Sequence, residues 1–410
     1  MPQSDTLAPT AHPLQASFFL VLVGICAALH IWKLPPALPT LQAELGLDLV
    51  ESGFLLSIVQ LGGMTLGLVS GLFAERIGLR RCVLAGLLIL ALASATGALF
   101  HSKALILLFR GLEGCGFLMV AMPVPALIKR QVPPEYLSRL MGLWSCYMPI
   151  GTVLILLAGS WLLSITSWRV LWLGLGVLTL LVMLLTLRII PPDPGAQAQV
   201  QDRPSPWSMI RITLASPNVW LIALVFGVYA AQWIAVIGFL PSIYVAAGIS
   251  GSTAGLLTAL VAGSNIVGNL SAGKLLHNGV SPPRLLATGF LTMIICAFAA
   301  FGAGLSTTSQ FFAILVFSMV GGLIPATLFV LAIKYAPTPQ TTSTTVGWMQ
   351  QCSSLGQFSG PPVVAWVVHA AGGWEWTWLA TGGYALAGIL MALCIGALGH
   401  RPDQDASAAG

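Results

Sequence analysis

Three chargeable side chains and a histidine interrupt oily runs of this chain. His30 and Lys33 fall within SFFLVLVGICAALHIWKLPPAL, and Arg110 and Glu113 within KALILLFRGLEGCGFLMVA. Charges inside such runs are expensive to bury and usually functional. Lys33 and Arg110 could bind a carboxylate or similar anion, the guanidinium offering a fork of donors. Glu113 lies three residues from Arg110, on the same helix face. Burial favours its protonated form and Arg110 its ionised form, so it could take up and release a proton. His30 could relay that proton or donate to a substrate. Blander roles exist for each. Arg110 and Glu113 could form a purely structural salt bridge, Lys33 could snorkel to the membrane surface, and His30 could simply pack.

Helices must position these groups. The chain has 410 residues, is 57% hydrophobic and only 7% charged. A soluble domain is about 25% charged, so this is a polytopic membrane protein. A spanning helix needs about 20 apolar residues. Twelve runs qualify, at 17–38, 52–73, 82–100, 104–128, 137–163, 168–190, 217–245, 253–275, 284–304, 309–334, 342–368 and 375–398. The longest break, PPDPGAQAQVQDRPSPWSMIRITLASP, reads as a linker. The organisation is then a tail (1–16), a six-helix bundle (17–190), a linker (191–216), a second bundle (217–398) and a tail (399–410). Helices 1 and 4 run antiparallel. At 1.5 Å per residue, Lys33 and Arg110 should each lie roughly 9 Å inside the same end, with His30 and Glu113 about one turn deeper.

The bases fix an orientation. With both ends cytoplasmic, the cytoplasmic loops and tails hold Arg76, Arg80, Arg81, Lys129, Arg130, Arg139, Arg188, Arg203, Arg211, Lys274, Arg284, Lys334 and Arg401, which is 13 of 17 Lys and Arg. The net charge of +5 is therefore a topology signal and not a nucleic-acid footprint. The halves also repeat. At an offset of 205, Gly116 meets Gly321, Lys129 meets Lys334, Gly151 meets Gly356 and Trp161 meets Trp366. Arg110 and Glu113 meet Leu315 and Ser318, so the charged pair is confined to one half. Two similar bundles suit a transporter with a site between them.

The loop GLFAERIGLRR (71–81) resembles the signature between helices 2 and 3 of the major facilitator superfamily, through Gly71, Ala74, Glu75, Arg76, Gly78, Arg80 and Arg81. Its usual Asp is Glu75 here. LLFRGLEGCG and PPEYLSRLMG resemble two further signatures of that family. Within it, the general resemblance is to the bacterial cyanate and nitroimidazole permease group, carried by no single motif. The resemblance implies an all-α membrane fold of twelve helices in two pseudo-symmetric bundles, in the bacterial inner membrane. It implies alternating access, a cavity lined by helices 1 and 4, and a protein that is often a monomer. The motif loop would latch the halves at the cytoplasmic side. Gly71 would allow a close helix approach. Glu75 would cap a helix of the other half, helix 11 being the candidate. Arg76, Arg80 and Arg81 would bind acids or helix-end carbonyls.

The second half offers neutral partners for a substrate: Tyr229 and Gln232 in helix 7, Asn265 and Asn269 in helix 8, and Trp348, Gln350 and Gln351 in helix 11. These could equally tie helices together. No GxxxxGK[ST] loop, catalytic constellation or paired cysteines are present, so no enzyme activity, metal or cofactor is expected. Drug exporters of the family carry a Gly-Pro signature in helix 5, where this chain has only MPIG. The leading expectation is proton-coupled uptake of a small organic anion. Its alternatives are a proton-coupled exporter of lipophilic compounds and, more remotely, a solute receptor.

Overall fold

The computed structural model describes residues 13–133, 136, 140–141, 143–144, 146–193 and 205–399; the side chains at 13, 70–73, 75–76, 339 and 398–399 lie outside that description. Among the described residues the elements are helical. Eleven helices are long and apolar enough to cross a membrane. The twelfth, Thr342–Ala371, is 30 residues long but rich in Thr, Ser and Gln, which keeps it outside that apolar set.

Proline explains where several helices break. Helix 1 is two segments, Pro13–Trp32 and Leu34–Leu45, with Lys33 between them. The sequence reading ended this span at residue 38. Pro35 and Pro36 fall in the first turn of the second segment, where a missing N–H is harmless, so they start a helix and do not end one. Lys33 is consequently about 18 Å from the end of helix 1 and not 9 Å. Helix 4 divides into Lys103–Ala121 and Val124–Gln131, and helix 10 into Thr307–Gly321 and Leu323–Tyr335. Pro123 sits in the first of these breaks and Pro325 in the first turn after the second.

The remaining spans are helix 2 (Leu49–Ser57, a 3₁₀ turn Ile58–Gln60, and Leu61–Ile77), helix 3 (Leu79–Gly97), helix 6 (Trp168–Ile189), helix 7 (Pro217–Ala246), helix 8 (Gly251–His277), helix 9 (Pro282–Ala297, ending in a π turn) and helix 12 (Thr377–Gly399). Helix 5 is described from Tyr147 through a π turn to Ile165; part of its start lies outside the described residues. A short helix, Pro206–Leu214, falls within the stretch read as a linker.

Helices 2 and 11 form an antiparallel seam between the halves. Gly53 faces the backbone of Pro361 and Pro362, Gly63 faces Ser354, and Gly67 faces Gln351. A Cβ at Gly53 would stand 2.9 Å from Pro362 backbone atoms, so only glycine allows this approach. Gln60 donates to Gln357 at 2.9 Å, and Gln351 accepts from the Leu68 N–H at 2.8 Å. Away from the seam, Trp32 of helix 1 meets Trp233 of helix 7 edge to face at 5.4 Å.

Candidate functional site

Pro35 has no N–H, so the Ile31 carbonyl loses the partner a helix would give it. Arg110 supplies one. Its guanidinium donates to the carbonyls of Ile31 (3.2 Å) and His30 (2.7 Å), and to Glu113 Oε2 (2.5 Å). Glu113 Oε1 pairs with Lys33 Nζ. Lys33 also donates to Ser94 Oγ (2.6 Å) and lies over the Trp172 ring, 4.3 Å from its centre. Ser94 Oγ in turn donates a hydrogen bond to the Trp172 carbonyl at 2.8 Å. His30 Nε2 is 2.7 Å from Thr179 Oγ1, and His30 Nδ1 is 3.6 Å from Glu113 Oε1. Helix 4 can carry Glu113 this deep because Gly114 packs directly on the Val59 carbonyl of helix 2.

This cluster is sealed: His30, Lys33, Arg110 and Glu113 are at most 1% exposed. Lys33 therefore does not snorkel. The sequence reading put Lys33 level with Arg110, and His30 level with Glu113. Instead Glu113 meets Lys33, because helix 1 runs further past Lys33 than expected, while Arg110 reaches the helix 1 backbone. The partners come from helices 1, 3, 4 and 6, all in the first half. Two cations share one carboxylate, an arrangement whose members are worth far more together than apart.

The neutral residues of the second half behave differently. Asn265 donates to Tyr229 Oη (3.0 Å) and to the Ser318 carbonyl (2.8 Å), and Asn269 donates to Asn265 Oδ1 (2.8 Å). Trp233 Nε1 donates to Ser318 Oγ at 3.1 Å. Gln232 is fully buried, and neither of its amide atoms has a hydrogen-bond partner. Trp348 stacks edge to face with Trp220 at 4.6 Å, and its Nε1 is unpaired. Gln351 belongs to the seam between helices 2 and 11.

At the motif loop, Gly78 adopts φ 101°, a conformation open to glycine and strained for other residues. There the chain turns into helix 3, and the Asp193 carboxylate accepts from the backbone N–H groups of Arg80 (3.1 Å) and Arg81 (3.2 Å). Arg130 pairs with Asp193 at 3.2 Å, and Arg80 donates to the Leu187 carbonyl near the end of helix 6 at 2.7 Å. The Asp193 contacts join the first half to the start of the linker. The surroundings of Gly71 and the side chains of Glu75 and Arg76 lie outside the description.

Sequence reasoning missed Ser94, Trp172, Thr179 and Asp193. The first three look like ordinary small or aromatic residues in apolar helices. Asp193 carried a usable signal, as a lone acid directly after helix 6 in PPDPG.

The sequence profile of the Major Facilitator Superfamily matches residues 20–361. Among curated proteins, the chain is 26% identical to the 3-(3-hydroxy-phenyl)propionate transporter of Escherichia coli over 348 residues, 83% of each chain. It is 26% identical to the 2-nitroimidazole transporter of that organism (88% of this chain, 90% of that one). It is 24% identical to its cyanate transport protein (86% and 92%). A match at 27% identity to an uncharacterized MFS-type transporter of Mycobacterium tuberculosis spans 47% of this chain and only 30% of that longer protein. The structure superposes on a bacterial homolog of the human lysosomal transporter Spinster, in an inward-facing and occupied conformation, with a TM-score of 0.81 at 17% identity (95% of this chain, 98% of that one). Across most of its length, the chain belongs to the major facilitator superfamily, a family of membrane transporters and not of enzymes.

Proposed function

We propose that the chain is a secondary transporter that takes up a small organic anion together with protons by alternating access. The observation that carries this reading is the sealed cluster of two cations and one carboxylate. With His30 neutral, Lys33, Arg110 and Glu113 sum to one positive charge. Adding a proton raises the buried charge to two, which is expensive. An anion arriving with the proton cancels that increase. The cluster thus favours loading both together, which is symport.

In this reading Glu113 carries the proton and Lys33 is the cation that a cargo anion competes for. Arg110 holds the break in helix 1 and keeps Glu113 in reach. Gln232, with both amide atoms unpaired, is the best placed of the second-half residues to hydrogen-bond a cargo. Asn265 and Gln351 would first have to exchange the bonds they make now, and Trp348 would offer a stacking face. The six-helix groups 17–190 and 217–398 are the moving bodies and 191–216 joins them. The motif-loop end faces the cytoplasm, as the distribution of bases supports, and the protein acts as a monomer.

The names of its relatives supply the first compounds: 3-(3-hydroxyphenyl)propionate, 2-nitroimidazole and cyanate. The test is uptake of each into proteoliposomes under an imposed pH gradient, wild type beside Glu113→Gln. The wild type should accumulate an anion, and the variant should lose accumulation while keeping exchange. Full accumulation by Glu113→Gln would remove Glu113 as the proton carrier. Gradient-driven expulsion of lipophilic compounds, with no anion uptake, would replace this reading with an exporter.

A further inference from the structure

His30 has two ring nitrogens, and its neighbours bear on which one carries the proton. Thr179 donates its hydroxyl proton to the Leu175 carbonyl at 2.7 Å. A carbonyl can only accept, and threonine has one O–H. The Thr179 oxygen can therefore only accept from His30 Nε2 at 2.7 Å, and from the Cys26 thiol at 3.4 Å. That arrangement calls for the Nε2–H tautomer in the neutral ring, with a bare lone pair at Nδ1. That atom is buried, has no hydrogen-bond partner, and sits 3.6 Å from Glu113 Oε1. A bare nitrogen facing a carboxylate oxygen is a site short of one proton.

We infer that Thr179 is a positioning residue for the coupling proton: it locks His30 as the Nε2–H tautomer, so that Nδ1 and Glu113 Oε1 together form the proton-binding site. This rests on the reading of Glu113 as the proton carrier and extends it to helix 6. A proton held by Glu113 as O–H hydrogen-bonds to the Nδ1 lone pair. Transferred to Nδ1, it leaves a carboxylate accepting from an imidazolium that still donates Nε2–H to Thr179. Either way one proton is gained and no other bond changes. The charged groups facing His30 are Glu113 and Arg110 of helix 4 and Lys33 of its own helix, while Cys26 reaches it only through Thr179. Lys33 and Arg110 are cations and Glu113 is the one carboxylate among them, so the bound proton is placed beside the group that offsets its charge.

The tautomer readout needs no substrate; the uptake readout uses whichever anion the proteoliposome test shows to be accumulated. The full-length protein is labelled with ¹⁵N-histidine and placed in nanodiscs. The six histidines are few enough for His30 to be assigned by difference with His30→Gln. Wild type at alkaline pH should show a single Nε2–H tautomer, and acidification should protonate Nδ1. Thr179→Val should lose the single tautomer, and its gradient-driven uptake should lose the acid limb of the wild-type pH profile. Thr179→Ser, which keeps the hydroxyl, should restore both. A wild-type ring protonated at Nδ1 and bare at Nε2 would overturn the proposal without any variant. So would an unchanged Nε2–H tautomer in Thr179→Val. If Thr179→Val does not fold, loss of the tautomer in Thr179→Ser would also count against it. Loss of uptake in Glu113→Gln together with a tautomer indifferent to Thr179 would sink this inference and leave the transport reading intact. Full uptake by Glu113→Gln would remove Glu113 as the proton carrier and this inference with it, whatever the tautomer.

Discussion

The two halves put different chemistry at equivalent positions. Glu113 in helix 4 and Ser318 in helix 10 correspond at an offset of 205, and each is the buried hub of its half. Around Glu113 gather a lysine, an arginine and a histidine. Around Ser318 gather Trp233 and Asn265, with Tyr229 and Asn269 behind them. The charged residues at the end opposite the motif loop follow the same division. The first half has the pairs Lys103–Glu51 and Arg169–Glu44 there, whereas the second caps helices with Ser250 and Ser306. A neutral hub holds helices together at all times. A charged hub can hold them in one protonation state and release them in another. The lesson is that one scaffold carries a neutral hub in one half and a hub of ionisable side chains in the other.

That contrast can be broken by substitution. Glu113→Ala should cost the most, because it strands Lys33 and Arg110 as buried cations; removing one partner of such a set costs about 3–5 kcal/mol. Thermal denaturation in detergent would show it, and replacing Lys33 by Met in the same chain should recover part of the loss. Arg110→Lys comes next. Lysine keeps the charge but cannot reach two carbonyls and a carboxylate at once, so a loss of about 1.5–3 kcal/mol is expected. Asp193→Ala removes the acceptor at the start of helix 3 and should cost about 1 kcal/mol, as helix caps do. Faster hydrogen exchange at the Arg80 and Arg81 amides would report it. Ser318→Ala should cost the least, about 0.5–1.5 kcal/mol for a neutral hydrogen bond. If Ser318→Ala destabilised as much as Glu113→Ala, the distinction between the halves would be lost.

Much of the fold was legible because apolar runs of spanning length have few other uses. What misled the sequence reading was local. The first span was closed at residue 38, just past Pro35 and Pro36, which stand where a second helical segment begins. The three charged residues and the histidine were visible because such side chains are rare here. Their pairing was not, since it depends on how far helix 1 continues beyond Lys33. Thr179 and Ser94 stayed hidden because a hydroxyl in an apolar helix ordinarily bonds its own backbone. Only the fold reveals that the free lone pairs of Thr179 meet His30, 149 residues away. The Asp193 contacts were hidden likewise by the 113 residues that separate it from Arg80.

Helix 11 has a further consequence, for biogenesis. Its polar face, Gln351, Ser354 and Gln357 among others, is matched to helix 2, and Gly356 and Gly360 lie against the backbone of helix 7. A segment this polar gains little from lipid alone as it leaves the ribosome. Its partners have been synthesised by then and can offer hydrogen bonds that lipid cannot. Helix 11 should therefore enter the membrane against a surface already assembled, with the strongly apolar helix 12 following to hold it across. A nascent chain arrested between them is expected to leave helix 11 outside the bilayer, whereas one arrested after helix 12 should have completed both.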